Sequence, residues 1–208
     1  IMPSLVGSEM CIRDSTKSDE GEIIFKDKKI SISKPSEAIN QGIVYLSEER
    51  QQLGITGLMS VKDNINMAII NKNSNFYIMD NLKEVKNASS MQEKLNIKVS
   101  YWSQLAQSLS GGNQQKTVIS KWLSTKPEVL ILDEPTKGID VRSKSAVHEF
   151  MGELVGEGMS IIMISSELPE ILGMCDRVVV MYRGLIKKVL DVKDASSEQI
   201  VKIASGEE

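Results

Sequence analysis

The sequence is poor in the residues that form disulfides and zinc sites. Its 208 residues include two cysteines, Cys11 and Cys175, and one histidine, His148. The cysteines form no CxxC pair, so neither a disulfide framework nor a zinc site is indicated. This scarcity predicts a reducing, cytoplasmic setting.

Long apolar runs and a strong net charge are also missing. The longest apolar stretches, such as those at 129–132 and 161–164, are too short to cross a bilayer. We therefore expect any contact with a membrane to come through a partner. The formal charge is -3, which predicts no general attraction to nucleic acid. With 41% apolar and 25% charged residues, the composition is typical of a globular protein.

The first residues, 1–15, show no secretory signal, because no basic segment precedes a sustained apolar stretch. The tract SLVGSEMCIRDS resembles a translated sequencing adapter, so we predict that residues 1–15 are not native. A disordered native terminus is the alternative. Residues 16–208 are predicted to form one domain, with core at 16–57, a helical subdomain at 58–125, and core plus a C-terminal tail at 126–208.

The pattern along the chain predicts strands first, then helices. Before residue 58 we expect strands at 22–25, 29–32 and 43–46, a helix at 36–40 and a loop at 49–57. Helices follow at 60–69, 82–95 and 115–123, with a polar loop at 71–76. Ser60 is expected to cap the first of these helices, with Val61, Ile65, Ala68 and Ile69 on one face.

After Pro127 strands and helices alternate. Strands are predicted at 129–132, 160–165 and 177–182, helices at 143–155 and 168–172, and a helix with a frayed end within 191–208. This βαβ pattern predicts a parallel sheet covered by helices.

The motif VLILDEP at 129–135 places two carboxylates after a buried strand. Ligands of open α/β sheets bind at the carboxyl ends of strands, and an aspartate there commonly holds Mg²⁺ in nucleoside triphosphatases. Asp133 and Glu134 are expected to point to opposite sides of an extended backbone and to take different roles. The alternative is an ordinary solvated strand end.

The motif LSGGNQQK at 109–116 reads as a helix start suited to an anion. Ser110 is expected to cap the helix. Gly111 and Gly112 let backbone N–H groups approach phosphate oxygens without side-chain obstruction. The alternative is an ordinary Ser-Gly-Gly helix start.

These motifs together resemble those of the ABC ATPase family. LSGGNQQK is similar to the family's signature sequence, and VLILDEP to its Walker B strand with the catalytic glutamate. PTKGID at 135–140 resembles the D-loop, SSE at 165–167 lies where the switch residue falls, and YLSEER at 45–50 lies where the Q-loop falls. The resemblance implies an α/β fold, with an incomplete P-loop NTPase-type parallel sheet core and a helical ABC signature subdomain.

Three positions narrow the resemblance to one subfamily. Glu48 at the Q-loop position, Asn113 in the signature and Ser166 at the switch position are typical of the second ATPase half in monosaccharide importers of the ribose, galactose and xylose types. The resemblance implies an ATP-hydrolysing subunit that energises sugar import and uses ATP and Mg²⁺.

The resemblance also implies a role for each motif residue. Asp133 would hold Mg²⁺ through water, Glu134 would be the general base, and Glu48 would couple nucleotide and metal to the membrane partner. Ser166, shorter and uncharged compared with the usual histidine, would weaken hydrolysis at this half's own site.

Further roles fall at the interface between ATPase halves. Ser110, Gly111 and Gly112 would contact the γ-phosphate of ATP bound to the opposite half. Asn113 and Gln114 would extend that contact, and Asp140 would join the two halves.

The implied partners are integral membrane permease subunits, the other ATPase half, a second ATPase subunit and, indirectly, a sugar-binding protein. The loop 49–59 would face the permease, and the implied location is the cytoplasmic face of the membrane.

One family motif is missing from the sequence. No GxxxxGK[ST] phosphate-binding loop occurs in the 208 residues. We therefore expect a fragment that lacks this loop and binds ATP weakly by itself. The alternatives are a non-transport ABC ATPase and a non-catalytic interaction fragment.

Overall fold

The computed structural model describes residues 21–70, 74–75 and 78–207, so the tract 1–15 lies outside the described residues. The chain divides into two compact units. The first unit contains described residues 21–45, 129–134 and 160–207, and the second contains those within 46–128 and 135–159. We describe each unit by itself.

The first unit begins with a hairpin of β1 (Ile23–Phe25) and β2 (Lys28–Ile30), paired antiparallel. Lys26 and Asp27 join the strands with positive φ angles of 52° and 58°. Such a two-residue turn matches the right-handed twist of the strands it connects. The turn is one residue shorter than predicted, so Lys28 already belongs to β2.

A short helix and a buried strand follow, as the sequence predicts. Helix α1 (Pro35–Asn40) starts at its proline, where a missing N–H costs nothing. Gly42, with a φ of 83°, separates it from β3 (Ile43–Leu46), whose four residues are all buried.

The central sheet of the first unit has the strand order β3–β6–β7. Strands β6 (Val129–Asp133) and β7 (Ser160–Ile164) pair in parallel, with Asp133 opposite Ile164. The predicted parallel pairing of these two strands is confirmed. A core of buried side chains covers the sheet, formed by Ala38, Ile43, Tyr45, Ile131 and Ile164.

The rest of the first unit departs from the prediction at two strands: the strand predicted at 177–182 does not join the parallel sheet, and an additional strand follows it. Helix α6 (Leu168–Met174) precedes β8 (Arg177–Tyr182), which pairs antiparallel with β9 (Leu185–Asp191) in a separate two-stranded sheet. The strand β9 was not predicted, because six of its seven residues are exposed and give no alternating pattern. The chain then forms α7 (Ser197–Ser205).

The second unit is mainly helical. Its helices are α2 (Val61–Asn66), α3 (Asn81–Leu95), α4 (Gly111–Leu123) and α5 (Val141–Gly156). Short strands β4 (Ser74–Asn75) and β5 (Ile78–Met79) pair antiparallel. The polar loop predicted at 71–76 is therefore wrong at Ser74 and Asn75, while residues 71–73 and 76 lie outside the described residues.

The predicted cap and apolar face of α2 are found. The Ser60 hydroxyl oxygen accepts a hydrogen bond from the Asp63 N–H at 3.0 Å, and Val61 and Ile65 are buried. The predicted single helix ends at Asn66, and a 3₁₀ turn, Met67–Ile69, continues it. The loop predicted at 49–57 contains a π-helical turn, Arg50–Gly54.

Two boundaries differ from the prediction. Helix α4 begins at Gly111, directly after Ser110 as the signature motif predicts. The helical pattern placed the start four residues later, because Gly-Gly has a poor helix propensity that hides the first turn. Helix α5 clusters with the helical unit, whereas the predicted division placed 126–208 in one core. No described helix has the length and apolar character needed to span a membrane.

Candidate functional site

The predicted metal ligand, Asp133, is the last residue of β6 in the first unit. Its Oδ2 accepts a hydrogen bond from the Tyr45 hydroxyl at 2.8 Å. Side chains alternate along strands, so Asp133 shares a sheet face with Ile131, and Tyr45 shares one with Ile43. Ile131, Ile43 and Tyr45 belong to one core cluster, so the phenol and the Asp133 carboxylate lie on the same face of neighbouring strands.

The predicted general base, Glu134, leaves the strand in a left-handed conformation with a φ of 48°. Its N–H donates to the Ile164 carbonyl at 2.9 Å, and its Oε1 accepts from the Ser166 N–H at 2.8 Å. A left-handed residue other than glycine costs about 1–3 kcal/mol and is frequent at functional sites. The expectation of an extended backbone is wrong at Glu134, because the chain turns sharply there. The two carboxylates nevertheless have different partners.

Ser166 meets Glu134 through its backbone, while its side chain is exposed. The neighbouring Ser165 is buried, and its hydroxyl donates to the carboxylate of Glu170, which is also buried. The same hydroxyl oxygen accepts from the Glu167 N–H at 3.1 Å.

The signature motif lies at the start of α4 in the second unit. Ser110 occupies the capping position, but its side chain caps no backbone N–H, so the predicted side-chain cap is wrong. The Ser110 hydroxyl oxygen instead accepts from Asn113 Nδ2 at 3.0 Å. In the part of the chain that the structure describes, the N–H groups of Gly111, Gly112 and Asn113 reach no protein acceptor.

The amide side chains of the motif face different ways. Asn113 Oδ1 accepts from the Lys98 N–H at 2.9 Å, so this side chain links the signature to the segment after α3. Gln114 is 7% exposed, and its Nε2 donates to the Leu109 carbonyl at 3.2 Å. Gln114 therefore packs inside the second unit and does not present its amide at the surface.

Gly112 is in close contact with the helix that follows the D-loop motif. A Cβ added at Gly112 would lie 2.4 Å from Ser143 Oγ and 2.8 Å from its Cβ. Asp140 caps the same helix, accepting from the Ser143 N–H at 3.0 Å and from the Ser143 hydroxyl at 2.7 Å. Ser143 thus links Gly112 to Asp140. We call Ser110, Gly111, Gly112, Asn113 and Asp140 the signature set.

The hydrogen bonds at Asp140 change its acidity. The hydroxyl of Ser143, followed by the Ser143 backbone N–H, lowers the pKa of Asp140 below its ordinary value of 3.8. The carboxylate is therefore ionised wherever the D-loop motif would act near neutral pH.

Glu48, at the Q-loop position, forms an exposed ion pair with Lys137 of the D-loop motif. Both residues lie in the second unit. An exposed pair of this kind contributes about 0–1 kcal/mol to stability. A metal bound by the Glu48 carboxylate would therefore have to replace the Lys137 ammonium group.

The sequence did not reveal three contributing residues. Tyr45 reads as one more apolar residue of a buried strand, Ser143 as an ordinary first-turn serine, and Ser165 as the neighbour of the chosen switch residue. Their contacts join residues that are far apart in sequence or carry no motif, so only the fold reveals them. Among the described residues, no cluster of three or more His, Cys, Asp and Glu could hold a metal by itself.

This fold and these motifs define an ATP-binding cassette. The chain is similar to a solved nucleotide-free ATP-binding cassette from an ABC transporter, with a TM-score of 0.76 and 23% identity over 97% of this chain and 79% of that one. The family model described as ABC transporter matches residues 9–137. The chain therefore belongs to the ABC transporter family. The match begins inside 1–15, so the non-native origin of that tract stays a prediction.

Curated relatives point to a narrower group. The chain is 48% identical over 187 residues to the xylose import ATP-binding protein of Thermoanaerobacter pseudethanolicus, covering 90% of this chain and 37% of the relative. It is 46% identical over 191 residues to the ribose import ATP-binding protein of Jannaschia sp., covering 92% and 37%. The chain thus spans little more than a third of these relatives.

Proposed function

We propose that this chain is part of an ATP-hydrolysing subunit that energises monosaccharide import through a membrane permease. The observation that carries the proposal is the placement of Asp133 and Glu134 at the carboxyl end of a parallel strand, each carboxylate held by its own hydrogen-bond donor. The names of the relatives, a xylose and a ribose import ATP-binding protein, support the choice of substrate class.

Glu134 would act as the general base. Its carboxylate oxygen would take a proton from a water that attacks the γ-phosphate of ATP, as the bond to ADP breaks. The contact to the Ser166 N–H orients Oε1 and leaves Oε2 for the water. Because the backbone supplies this contact, the orientation of Glu134 does not depend on a histidine at position 166.

Asp133 fits the role of a Mg²⁺ ligand. Mg²⁺ is usually bound by one or two carboxylates together with substrate phosphates and waters, not by an all-protein cage. A single carboxylate at the end of β6, with one oxygen held by Tyr45, matches that donor set. When bound, the ion would neutralise charge on the phosphates. The role of Glu48 as a metal contact rests on its Q-loop position alone and stays a prediction.

The signature set would bind the γ-phosphate of ATP held by another ATPase half. The N–H groups of Gly111, Gly112 and Asn113 have no protein acceptor within the described residues and lie at a helix N-terminus, where the dipole favours an anion. The Ser110 hydroxyl accepts from Asn113, so its own hydrogen is available for a phosphate oxygen. Asp140 would meet the other half beside it.

The segment 49–59 would contact the permease at the cytoplasmic face of the membrane. Leu53 and Leu58 are 68% and 77% exposed there. The segment is nevertheless well held, because Lys121 donates to the Gly54 carbonyl and the Thr56 N–H donates to Asn64 Oδ1 at 2.8 Å. Exposed leucines on a fixed loop suit an apolar protein partner.

The test uses the complete protein that contains this chain, reconstituted with its permease and sugar-binding protein in proteoliposomes. We expect sugar-stimulated ATP hydrolysis and uptake of labelled xylose, ribose or galactose. Glu134→Gln should lower both, because loss of a general base costs about a hundredfold or more at the affected site. Glu149→Gln, on the exposed face of α5, is the matched control. Unchanged hydrolysis and uptake in Glu134→Gln would contradict the proposal.

A further inference from the structure

Tyr45 contacts the carboxylate to which we assign the metal. Its ring is buried, with the residue 6% exposed, and its hydroxyl donates to Asp133 Oδ2 at 2.8 Å. We propose that Tyr45 is a positioning residue for Asp133, holding one carboxylate oxygen so that the other faces the Mg²⁺·ATP complex. The inference rests on the proposed function of Asp133.

The fold fixes the phenol before any ligand arrives. Tyr45 lies in β3, the sheet neighbour of β6, and packs in the core cluster with Ile43 and Ile131. A close-packed aromatic ring keeps one rotamer, so the hydroxyl has a fixed position at the edge of the sheet. The hydrogen bond from this fixed hydroxyl therefore restricts the Asp133 side chain to one orientation.

The chemistry of the pair supports a positioning role. A hydroxyl that donates to an ionised carboxylate forms a charge-assisted hydrogen bond, which is about twice as strong as a neutral one. It restricts rotation of the Asp133 carboxylate and commits Oδ2 to Tyr45. Oδ1 is then the oxygen that would meet the metal or its water. Partners of this kind typically change metal affinity by about 10–100-fold when they are removed.

Tyr45→Phe is the direct variant, because it removes only the hydroxyl and keeps the ring in the core. Tyr182→Phe is the matched control, since it removes a hydroxyl from another strand of the same unit. Replacing Tyr45 by para-aminophenylalanine keeps a donor at the same place. It should therefore retain the behaviour of the natural protein.

The measurement is Mn²⁺ binding to the complete protein with ATP, followed by electron paramagnetic resonance, with Mn²⁺ standing in for Mg²⁺. We expect Tyr45→Phe to weaken Mn²⁺ binding by about tenfold. The para-aminophenylalanine variant and Tyr182→Phe should bind as the natural protein does. The rate of ATP hydrolysis at saturating Mg²⁺ should change less than the Mg²⁺ concentration that gives half the rate.

The outcomes separate a failure of the role proposed for Tyr45 from a failure of the proposed function. Equal Mn²⁺ affinity in the natural protein and in folded Tyr45→Phe would overturn the role of Tyr45 and leave the proposed function standing. If Tyr45→Phe fails to fold, the para-aminophenylalanine variant decides: near-natural affinity supports the role, and a tenfold loss overturns it. If the natural protein binds no Mn²⁺ with ATP, both proposals fail.

Discussion

The backbone N–H of Ser166 donates to Oε1 of Glu134 at 2.8 Å, across the ends of two parallel strands. Glu134 is also tied to β7 through its own N–H and the Ile164 carbonyl. These two bonds hold the left-handed conformation of Glu134. Because both bonds involve backbone atoms on the β7 side, the orientation of the carboxylate depends on the sheet and not on the side chain at position 166.

We predict that adjacent serines differ sharply in their importance. Ser166→Ala removes an exposed hydroxyl and keeps the N–H, so it should change the free energy of unfolding by less than about 0.5 kcal/mol. Ser165→Ala removes the hydroxyl donor of the buried Glu170 carboxylate and should cost about 1–3 kcal/mol. Urea unfolding of both variants measures the difference. Equal values would contradict the contacts described at these two positions.

The contact between Gly112 and Ser143 predicts that adding a methyl group at Gly112 lowers the stability of the fold. Gly112→Ala should destabilise the chain by about 1–3 kcal/mol through overpacking. Ser143→Gly should recover part of that loss in the double variant, because the two sites are coupled. Gly152→Ala is the control, since a Cβ there meets nothing within 4 Å. Additive effects of Gly112→Ala and Ser143→Gly would rule out the coupling.

The cap at Asp140 predicts an acid-sensitive contribution to stability. Its pKa is lower in the folded chain than the ordinary 3.8, so the stabilisation is present above that value and is lost as pH falls through the lowered pKa. Ser143→Ala should raise the pKa of Asp140 towards 3.8, because the hydroxyl makes the largest contribution. The Ser143 N–H should keep part of the shift.

Carboxyl carbon resonances followed in a pH titration measure this pKa. Asp80 is an internal control, because its pKa is also lowered but by other groups. These are the backbone N–H of Lys83, the charged side chain of Lys83 and the backbone N–H of Leu82. Ser143→Ala should leave the titration of Asp80 unchanged. An Asp140 titration that is the same with and without the Ser143 hydroxyl would show that the backbone N–H alone sets the pKa.

The Asn113 bridge predicts a local change in hydrogen exchange. Asn113→Ala removes the acceptor of the Lys98 N–H. Exchange of that amide should accelerate by about tenfold, because losing one hydrogen bond lowers the free energy of local opening by about 1.4 kcal/mol. Asn87→Ala is the control, because Asn87 bridges Asn66 and Ser124 and has no contact with Lys98. Unaltered exchange of Lys98 in Asn113→Ala would contradict the bridge.

Much of the local structure could be predicted from the sequence. The strands at β3, β6 and β7 stand out as short apolar runs, and Ser60 marks a helix start. The prediction failed where the local signal is weak or misleading. The helical pattern missed the first turn of α4 at Gly111 and Gly112, which only the signature motif marked, and the exposed residues of β9 gave no strand pattern. In both places tertiary contacts outweigh the intrinsic propensity of the residues.

The sequence by itself determined which residues carry the chemistry, because motif order and residue type place Asp133 and Glu134 after an apolar strand and Gly111 and Gly112 at a helix start. Tertiary structure alone decided how these residues are held. Tyr45 reaches Asp133 from 88 positions away, and the Ser166 N–H reaches Glu134 from 32 positions away. Neither contact leaves a pattern along the chain, since each depends on the lateral order and register of strands that fold together.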